Sequence, residues 1–338
     1  MTSKPSKPSK TGSKCKPAKP EVKREPLPAT LEARYQLVCS KIADAAKKAG
    51  RRPGDILLTA VTKYAEPEQI RELLQLGHRD FGENRVQVLV QHAAIVDEYM
   101  ARQRLLPSAR KSPFEADGNL FATNAPDLGP VSAKQSRQLP PHTSSFSRSE
   151  SAVGTGGVGS GGPPSVRWHM IGHLQRNKAK KVTDFVRLIH SVDSLRLAEE
   201  LQTIAVKKDQ VIECLLQVNC SNEESKFGCP IPAAIPLAEQ IAEMVNIRLR
   251  GLMTMAPEVD NPEEARPCFS RCRDMFEEMA KLKLTEGPFN ILSMGMSNDY
   301  EVAISEGANI VRVGTAIFGF NPNAARFDEP EEPEEEGT

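Results

Sequence analysis

Eight short apolar runs, most followed by a stretch with helical spacing, recur along this chain and constrain its fold more than any other feature. The runs are 56–62, 79–82, 167–171, 187–192, 211–218, 248–254, 289–294 and 310–313. Helical patterns lie near 66–76, 85–100, 175–182, 194–207, 231–245, 262–283 and 298–306. The runs lean toward Val, Ile and Leu, as parallel strands covered on both faces must. Eight alternating β/α units predict a (β/α)8 TIM barrel, with a doubly wound open sheet as the other arrangement. Arg79-Asp80-Phe81-Gly82 is the least strand-like of the eight.

Three segments fall outside this alternation. Residues 1–28 are rich in Lys, Pro and Ser, and the segment from 321 to 338 is acidic. Neither has apolar periodicity, so both are expected to be disordered. Residues 101–165 hold Pro140-Pro141, a Ser-rich patch and a Gly-rich run from Gly154 to Gly162, and read as a flexible low-complexity insertion. The glycines follow no strand and precede no Gly-Lys-Ser/Thr, so they do not form a phosphate loop. The expected organisation is one barrel domain over 29–320, broken by the insertion and flanked by two tails. Lengthening a flexible loop costs little, so a surface insertion is tolerable.

Composition narrows the setting. The 44 basic and 44 acidic residues cancel. No stretch reads as a membrane span or a signal-peptide core, and the seven cysteines are odd in number and scattered. That pattern fits a reducing compartment, so a cytoplasmic location is expected, with mitochondrial and nuclear locations left open. The basic tail lacks aromatic interleaving and any DNA or RNA motif, so nucleic acid is not an expected partner. Cys268 and Cys272 lie four apart on a predicted helix and read as buried thiols. His169 and His173 fall on a strand and the turn after it, where they would not clasp a metal as they would on a helix, so no metal site is expected.

A barrel gathers its chemistry at the carboxyl ends of its strands. There stand Lys63, Glu83-Asn84, Gly172-His173, Asp193, Asn219, Met253-Thr254-Met255, Met294-Gly295-Met296-Ser297 and Arg312-Val313-Gly314-Thr315. Lys63 ends the run Ile56 to Thr62; a lysine at the end of a buried strand loses hydration, which lowers its pKa and leaves a nucleophilic amine able to condense with a carbonyl. Gly295 to Asp299 and Gly314 to Gly319 suit an anion, with Ser297 as a helix cap and glycine allowing close backbone approach. Loops after strands 7 and 8 form a recurring phosphate site in this architecture. Arg312, set between Val311 and Val313, would hold an aromatic nitrogen unprotonated, because arginine does not give up its proton.

The segments Ala60-Val61-Thr62-Lys63, Phe81-Gly82-Glu83-Asn84, Trp168 to Lys178, Ser225-Lys226-Phe227-Gly228, Arg250-Gly251-Leu252-Met253, Ser293 to Ser297 and Val311 to Gly319 occur in one order. With them the chain closely resembles the pyridoxal phosphate homeostasis protein family (the YggS/PROSC family) over about 31 to 320. The resemblance implies a fold-type III barrel holding pyridoxal 5′-phosphate, with Lys63 carrying it as an internal aldimine. It implies that Asn84 lies near the cofactor, that Ser297, Gly314 and Thr315 hold the phosphate, and that Arg312 faces the pyridine nitrogen. The family is regarded as cofactor carriers or regulators of vitamin B6 without established turnover. Three departures stand out: Thr62 where Ser is usual, Tyr64-Ala65-Glu66-Pro67 in place of Thr-Lys-Pro, and the 101–165 insertion.

The rival reading is an amino-acid racemase-like enzyme of the same fold type. Such racemases add a C-terminal β domain with a catalytic tyrosine, whereas the last strand here is followed by Asn321 to Thr338; of Tyr35, Tyr64, Tyr99 and Tyr300, only Tyr300 lies near the Ser297 loop. The expectation is therefore a monomer or weak homodimer that binds the cofactor reversibly and passes it to acceptor apoenzymes.

Overall fold

A computed structural model describes residues 27–105 and 165–320, apart from 222, 224, 225 and 286. Among these described residues nine strands are present: β1 Leu57–Val61, β2 Asp80–Glu83, β3 Arg167–Met170, β4 Val186–Val192, β5 Ile212–Asn219, β6 Cys229–Pro230, β7 Ile247–Met253, β8 Ile291–Ser293 and β9 Ile310–Val313. They run in the order β4-β3-β2-β1-β9-β8-β7-β5, and β4 also pairs with β5. Eight strands therefore close into a parallel ring, the predicted (β/α)8 barrel. The two-residue β6 hangs on β5 outside the ring. All eight runs read from the sequence are strands, including β2, whose four residues are all buried.

Parallel neighbours need a crossover, and each is helical. The helices are α1 Leu31–Lys48, α2 Pro67–Gln75, α3 Val86–Leu105, α4 Arg176–Val182, α5 Leu195–Lys207, α6 Ile231–Ala242, α7 Arg266–Leu282, α8 Tyr300–Ser305 and α9 Thr315–Phe318. The sequence reading missed α1. It precedes the first strand, outside the β/α alternation, yet it completes the outer layer, because among the described residues only the four-residue α9 follows β9. Thr30 caps it, its hydroxyl accepting from the Ala33 N–H at 3.2 Å. Leu31, Tyr35, Val38, Ile42, Ala45 and Ala46 form its buried face, which packs on α8 and α9. Arg34 donates to the Ile317 carbonyl at 2.6 Å and Arg51 to that of Ala308 at 2.6 Å, tying both ends of α1 to the end of the barrel.

The start of the insertion is also corrected. Residues 101–105 continue α3; the rest of the 101–165 segment, up to 164, lies outside the described residues, as do residues 1–26 of the basic tail and the acidic tail from 321. Cys268 and Cys272 are buried on α7 as expected. Among the described residues no helix is long and apolar enough to cross a membrane.

Two kinds of surface fill the barrel. Leu188, Leu215, Met253, Ile291 and Ile310, with Leu57 and Met255, form an inner aliphatic layer. Polar side chains follow toward the mouth: His169, His190, Ser293 and Arg312 are each no more than 3% exposed. β2 and β3 are joined by Arg167, which grips both carboxylate oxygens of Asp80, Nε to Oδ1 at 2.7 Å. Behind them the buried His78 donates from Nε2 to the Asp80 carbonyl at 2.7 Å and accepts from the Tyr35 hydroxyl at 3.3 Å, which anchors α1. Burial pulls the His78 pKa down to about 4, so this ring is neutral.

Ile42 is fully buried between α1 and the barrel. Ile42→Ala is expected to lower the free energy of unfolding by about 2–5 kcal/mol, measured by urea denaturation. Burial opposes ionisation of Asp80, but hydrogen bonds from His169 and Arg167 outweigh it and hold the carboxyl below the usual range. Its stabilisation is full above about pH 4, the unfolded value, and is lost as the pH falls below that toward the folded value. The stability gap between wild type and Asp80→Asn is therefore expected to shrink between neutral pH and about pH 3 in the same urea experiment; a constant gap would contradict it.

Candidate functional site

A cavity of about 1780 Å3 opens at the carboxyl ends of the strands. It exceeds the ~300–1,000 Å3 usual for small-molecule sites, so it is a broad mouth rather than a closed chamber. Lys63, Asn84, Ser297, Arg312, Gly314 and Thr315 all line it. The structure thus gathers into one wall six residues that the sequence spreads over more than two hundred positions. Six lysines and arginines line the cavity against three carboxylates, a balance that favours an anionic ligand.

Lys63 stands two residues beyond the end of β1, half-buried at the mouth rather than sealed within the strand. Its ammonium lies 4.7 Å from the centre of the Tyr64 ring, a cation–π distance. The local backbone is fixed by Thr62, whose N–H donates to the Gly82 carbonyl at 2.9 Å. The Thr62 hydroxyl donates to Glu83 Oε2 at 2.8 Å, while Glu83 Oε1 accepts the N–H of Asn84 at 2.7 Å. One fully buried carboxylate therefore sets both the turn that carries Lys63 and the start of the Asn84 loop. Glu83 was legible only as part of a motif; nothing in the sequence showed that it holds both neighbours. Gly172 follows β3, and a Cβ there would lie 2.1 Å from the Asn84 carbonyl oxygen, so only glycine lets the two strand ends meet.

The anion loops are arranged differently from the expectation. Ser297 does not cap α8; Asp299 holds the N-cap position, and its Oδ1 accepts the N–H of Met296 at 2.6 Å. Gly295, at φ 95°, turns the chain so tightly that a Cβ there would sit 2.6 Å from that of Ala303. The turn directs Ser297 across to the next loop, where its Oγ accepts the N–H groups of Gly314 at 3.2 Å and Ala316 at 3.3 Å. The Ser297 hydroxyl and the amides at the start of α9 thus converge on one point of the wall.

Arg312 lies at the floor. Its Nη1 donates to Ser293 Oγ at 2.6 Å and its Nη2 to the Thr254 carbonyl at 2.9 Å. Burial draws its pKa down to about 10, opposed by the Asp299 carboxylate, so it keeps its charge at neutral pH. At the rim His173 stacks on Phe227, ring centres 4.3 Å apart, and its Nδ1 lies 3.6 Å from Asp193. Tyr300 lines the cavity but is 4% exposed, and burial pushes its phenol well above the ordinary range.

Comparison with known proteins places the chain among relatives of one kind. The family model for the N-terminal domain of alanine racemase matches residues 159–322. A relative from Aquifex aeolicus (strain VF5) named pyridoxal phosphate homeostasis protein is 32% identical over 286 residues, 85% of this chain and 96% of that one. The protein of the same name from Escherichia coli (strain K12) is 31% identical, covering 83% and 93%. Among solved structures, an unknown protein from Bifidobacterium adolescentis superposes with a TM-score of 0.61 at 32% identity, covering 85% and 94% of the two chains. PipY of Synechococcus elongatus PCC7942, solved with PLP bound, gives 0.54 at 27%, covering 82% and 100%.

Glu83→Ala removes the shared acceptor of the Thr62 hydroxyl and the Asn84 N–H. The Thr62 hydroxyl keeps the Gly82 carbonyl as an acceptor at 3.2 Å, so stability is expected to fall by about 1–3 kcal/mol through the Asn84 N–H left unpaired, read by urea denaturation, and amide exchange at Asn84 is expected to quicken.

Proposed function

The chain belongs to the pyridoxal phosphate homeostasis protein family, and from that membership we propose that it binds pyridoxal 5′-phosphate covalently through Lys63 and serves as a carrier or regulator of vitamin B6. The observation that carries the reading is the convergence of an amine, backbone amides at the start of α9 and a buried arginine on one open cavity lined by Lys63, Gly314 and Arg312.

The donor set fits the group. The Ser297 hydroxyl with the Gly314 and Ala316 amides gathers neutral donors at the start of α9, where with Thr315 they would take a phosphate. Asn84, fixed by Glu83 and by the close approach of Gly172, would orient the ring from one side. Arg312, charged and held through Nη1 and Nη2, would offer a ring nitrogen no acidic proton and so leave it unprotonated. When bound, the cofactor supplies an aldehyde for an amine and a ring that draws electrons from the resulting bond. Lys63 would hold that aldehyde at the mouth, within reach of solvent amines, which suits reversible uptake and release to acceptor apoenzymes.

A racemase-like activity needs a group that exchanges protons near neutral pH. Tyr300 is the tyrosine nearest the Ser297 loop, and its buried phenol, held above the ordinary range, is poorly suited to that task.

The test is an absorbance spectrum of the protein supplied with pyridoxal phosphate, beside Lys63→Ala. The expected result is a visible band in wild type that borohydride abolishes, leaving a mass increase on the peptide containing Lys63; the variant shows neither. A wild-type protein that takes up no cofactor would overturn the reading. For the carrier role, the loaded protein is mixed with a pyridoxal-phosphate-dependent apoenzyme. Activation faster than spontaneous loss of the cofactor is expected, and equal rates would refute delivery. Conversion of L-alanine to its enantiomer at enzyme-like turnover would favour the racemase reading instead.

A further inference from the structure

A second polar device runs through the barrel beneath the site, and apart from Arg312 the functions assigned so far do not use it. Arg312 Nη1 lies 2.6 Å from Ser293 Oγ. Ser293 Oγ lies 2.9 Å from His190 Nδ1, His190 Nε2 lies 2.9 Å from His169 Nδ1, and His169 Nε2 lies 3.4 Å from Asp80 Oδ1. None of the five residues is more than 5% exposed. They come from β9, β8, β4, β3 and β2, and the step from β8 to β4 crosses the barrel interior, since β7 and β5 separate those strands around the ring.

The chemistry of the two ends sets the direction of the chain. Asp80 is held as a carboxylate by Arg167, so it can only accept, and His169 Nε2 must carry the proton that faces it. Arg312 can only donate, so Ser293 Oγ accepts from it and turns its own hydrogen toward His190 Nδ1. His190 then presents its remaining proton from Nε2 to His169 Nδ1. Every link is satisfied with both rings neutral. Burial holds the His190 ring well below the ordinary histidine range, and the charge of Arg312 adds to the effect.

We propose that His169 and His190 are positioning residues for Arg312: with Ser293 and Asp80 they form a one-way chain of donors, Arg312 to Ser293 to His190 to His169 to Asp80, which fixes the guanidinium at the floor of the site. A serine that donates onward is a stronger acceptor, so the chain grips Arg312 in one orientation instead of leaving it to turn among its five donors. Its bearing on a ligand rests on the pyridoxal phosphate reading; the chain itself does not.

The experiment has two arms. The first is 15N NMR of the histidine rings in the protein as purified, with His169→Gln and His190→Asn to assign the signals. Both rings are expected as Nε2–H tautomers at neutral pH. A charged His169, or an Nδ1–H form at either position, would overturn the proposal whatever ligand the protein binds. The second arm compares pyridoxal phosphate affinity in His190→Phe and His190→Asn, with thermal unfolding measured alongside. Phenylalanine fills the ring volume but accepts nothing; the asparagine oxygen can replace Nδ1 as acceptor for Ser293. The expected result is a loss of about tenfold or more in His190→Phe, with substantial recovery in His190→Asn. Equal losses in both variants, or none in either, would refute the positioning role. A wild-type protein that binds no pyridoxal phosphate would sink the functional reading alone and leave the first arm to decide.

Discussion

Closure of the ring between β4 and β5 is the constraint on which the rest depends. In an open sheet the eight carboxyl ends would lie along a line; in the closed barrel they face one another around a mouth. β1 sits between β2 and β9, with Val61 opposite Gly82 and Thr59 opposite Arg312. That register brings the Lys63 turn, the Asn84 loop and the Arg312 floor together, and β8, next to β9, supplies the Ser297 loop. A slip of one residue in β9 would turn Arg312 outward, because successive side chains on a strand face opposite ways. The aliphatic layer of Leu188, Leu215, Met253, Ile291 and Ile310 opposes such a slip, since it would expel Ile310 from the interior as well.

The outer layer shows how closure is completed. After β9 the described chain adds only the single turn of α9, too short to cover the seam between β9 and β1. α1, from the other end of the chain, fills the gap with a buried face and two arginine bonds to late carbonyls. The start of the chain and the end of the barrel therefore stabilise each other, and the mouth beside Lys63 and Gly314 rests on that contact.

How much of this was legible in the sequence depends on the range of the interaction. The strand runs, the barrel and the strand-end positions followed from periodicity, which is local. α1 was missed because it lies before the first β/α unit, although the spacing of Leu31, Tyr35, Val38 and Ile42 is helical. Ser297 was read as the cap of its own helix, the commonest local role; the bonds it makes run 17 and 19 residues onward to Gly314 and Ala316, and no local pattern announces them. Glu83 was visible as a polar residue at a strand end, but its two bonds depend on how β1 and β2 pair. His169 and His190 are the extreme case. They are 21 positions apart and unrelated by any motif, and only the packing of β3 beside β4 sets their rings 2.9 Å apart.

The polar chain within the barrel has a cost that explains its form. Interiors of this architecture are commonly filled by branched aliphatic side chains, and a partly satisfied buried network is worse than an apolar core. The device is therefore tolerable only if every member has a partner, and the two ends make that possible. Arg167 makes Asp80 an acceptor at one end; Arg312, which needs acceptors, stands at the other. Replacing the middle with aliphatic side chains would fill the space but strand a buried guanidinium, which is among the more expensive things a protein can do. Once a charged arginine is buried at the floor of the cavity, the barrel beneath it must supply acceptors. Ser293, Thr254 and the two histidines are how this sequence supplies them.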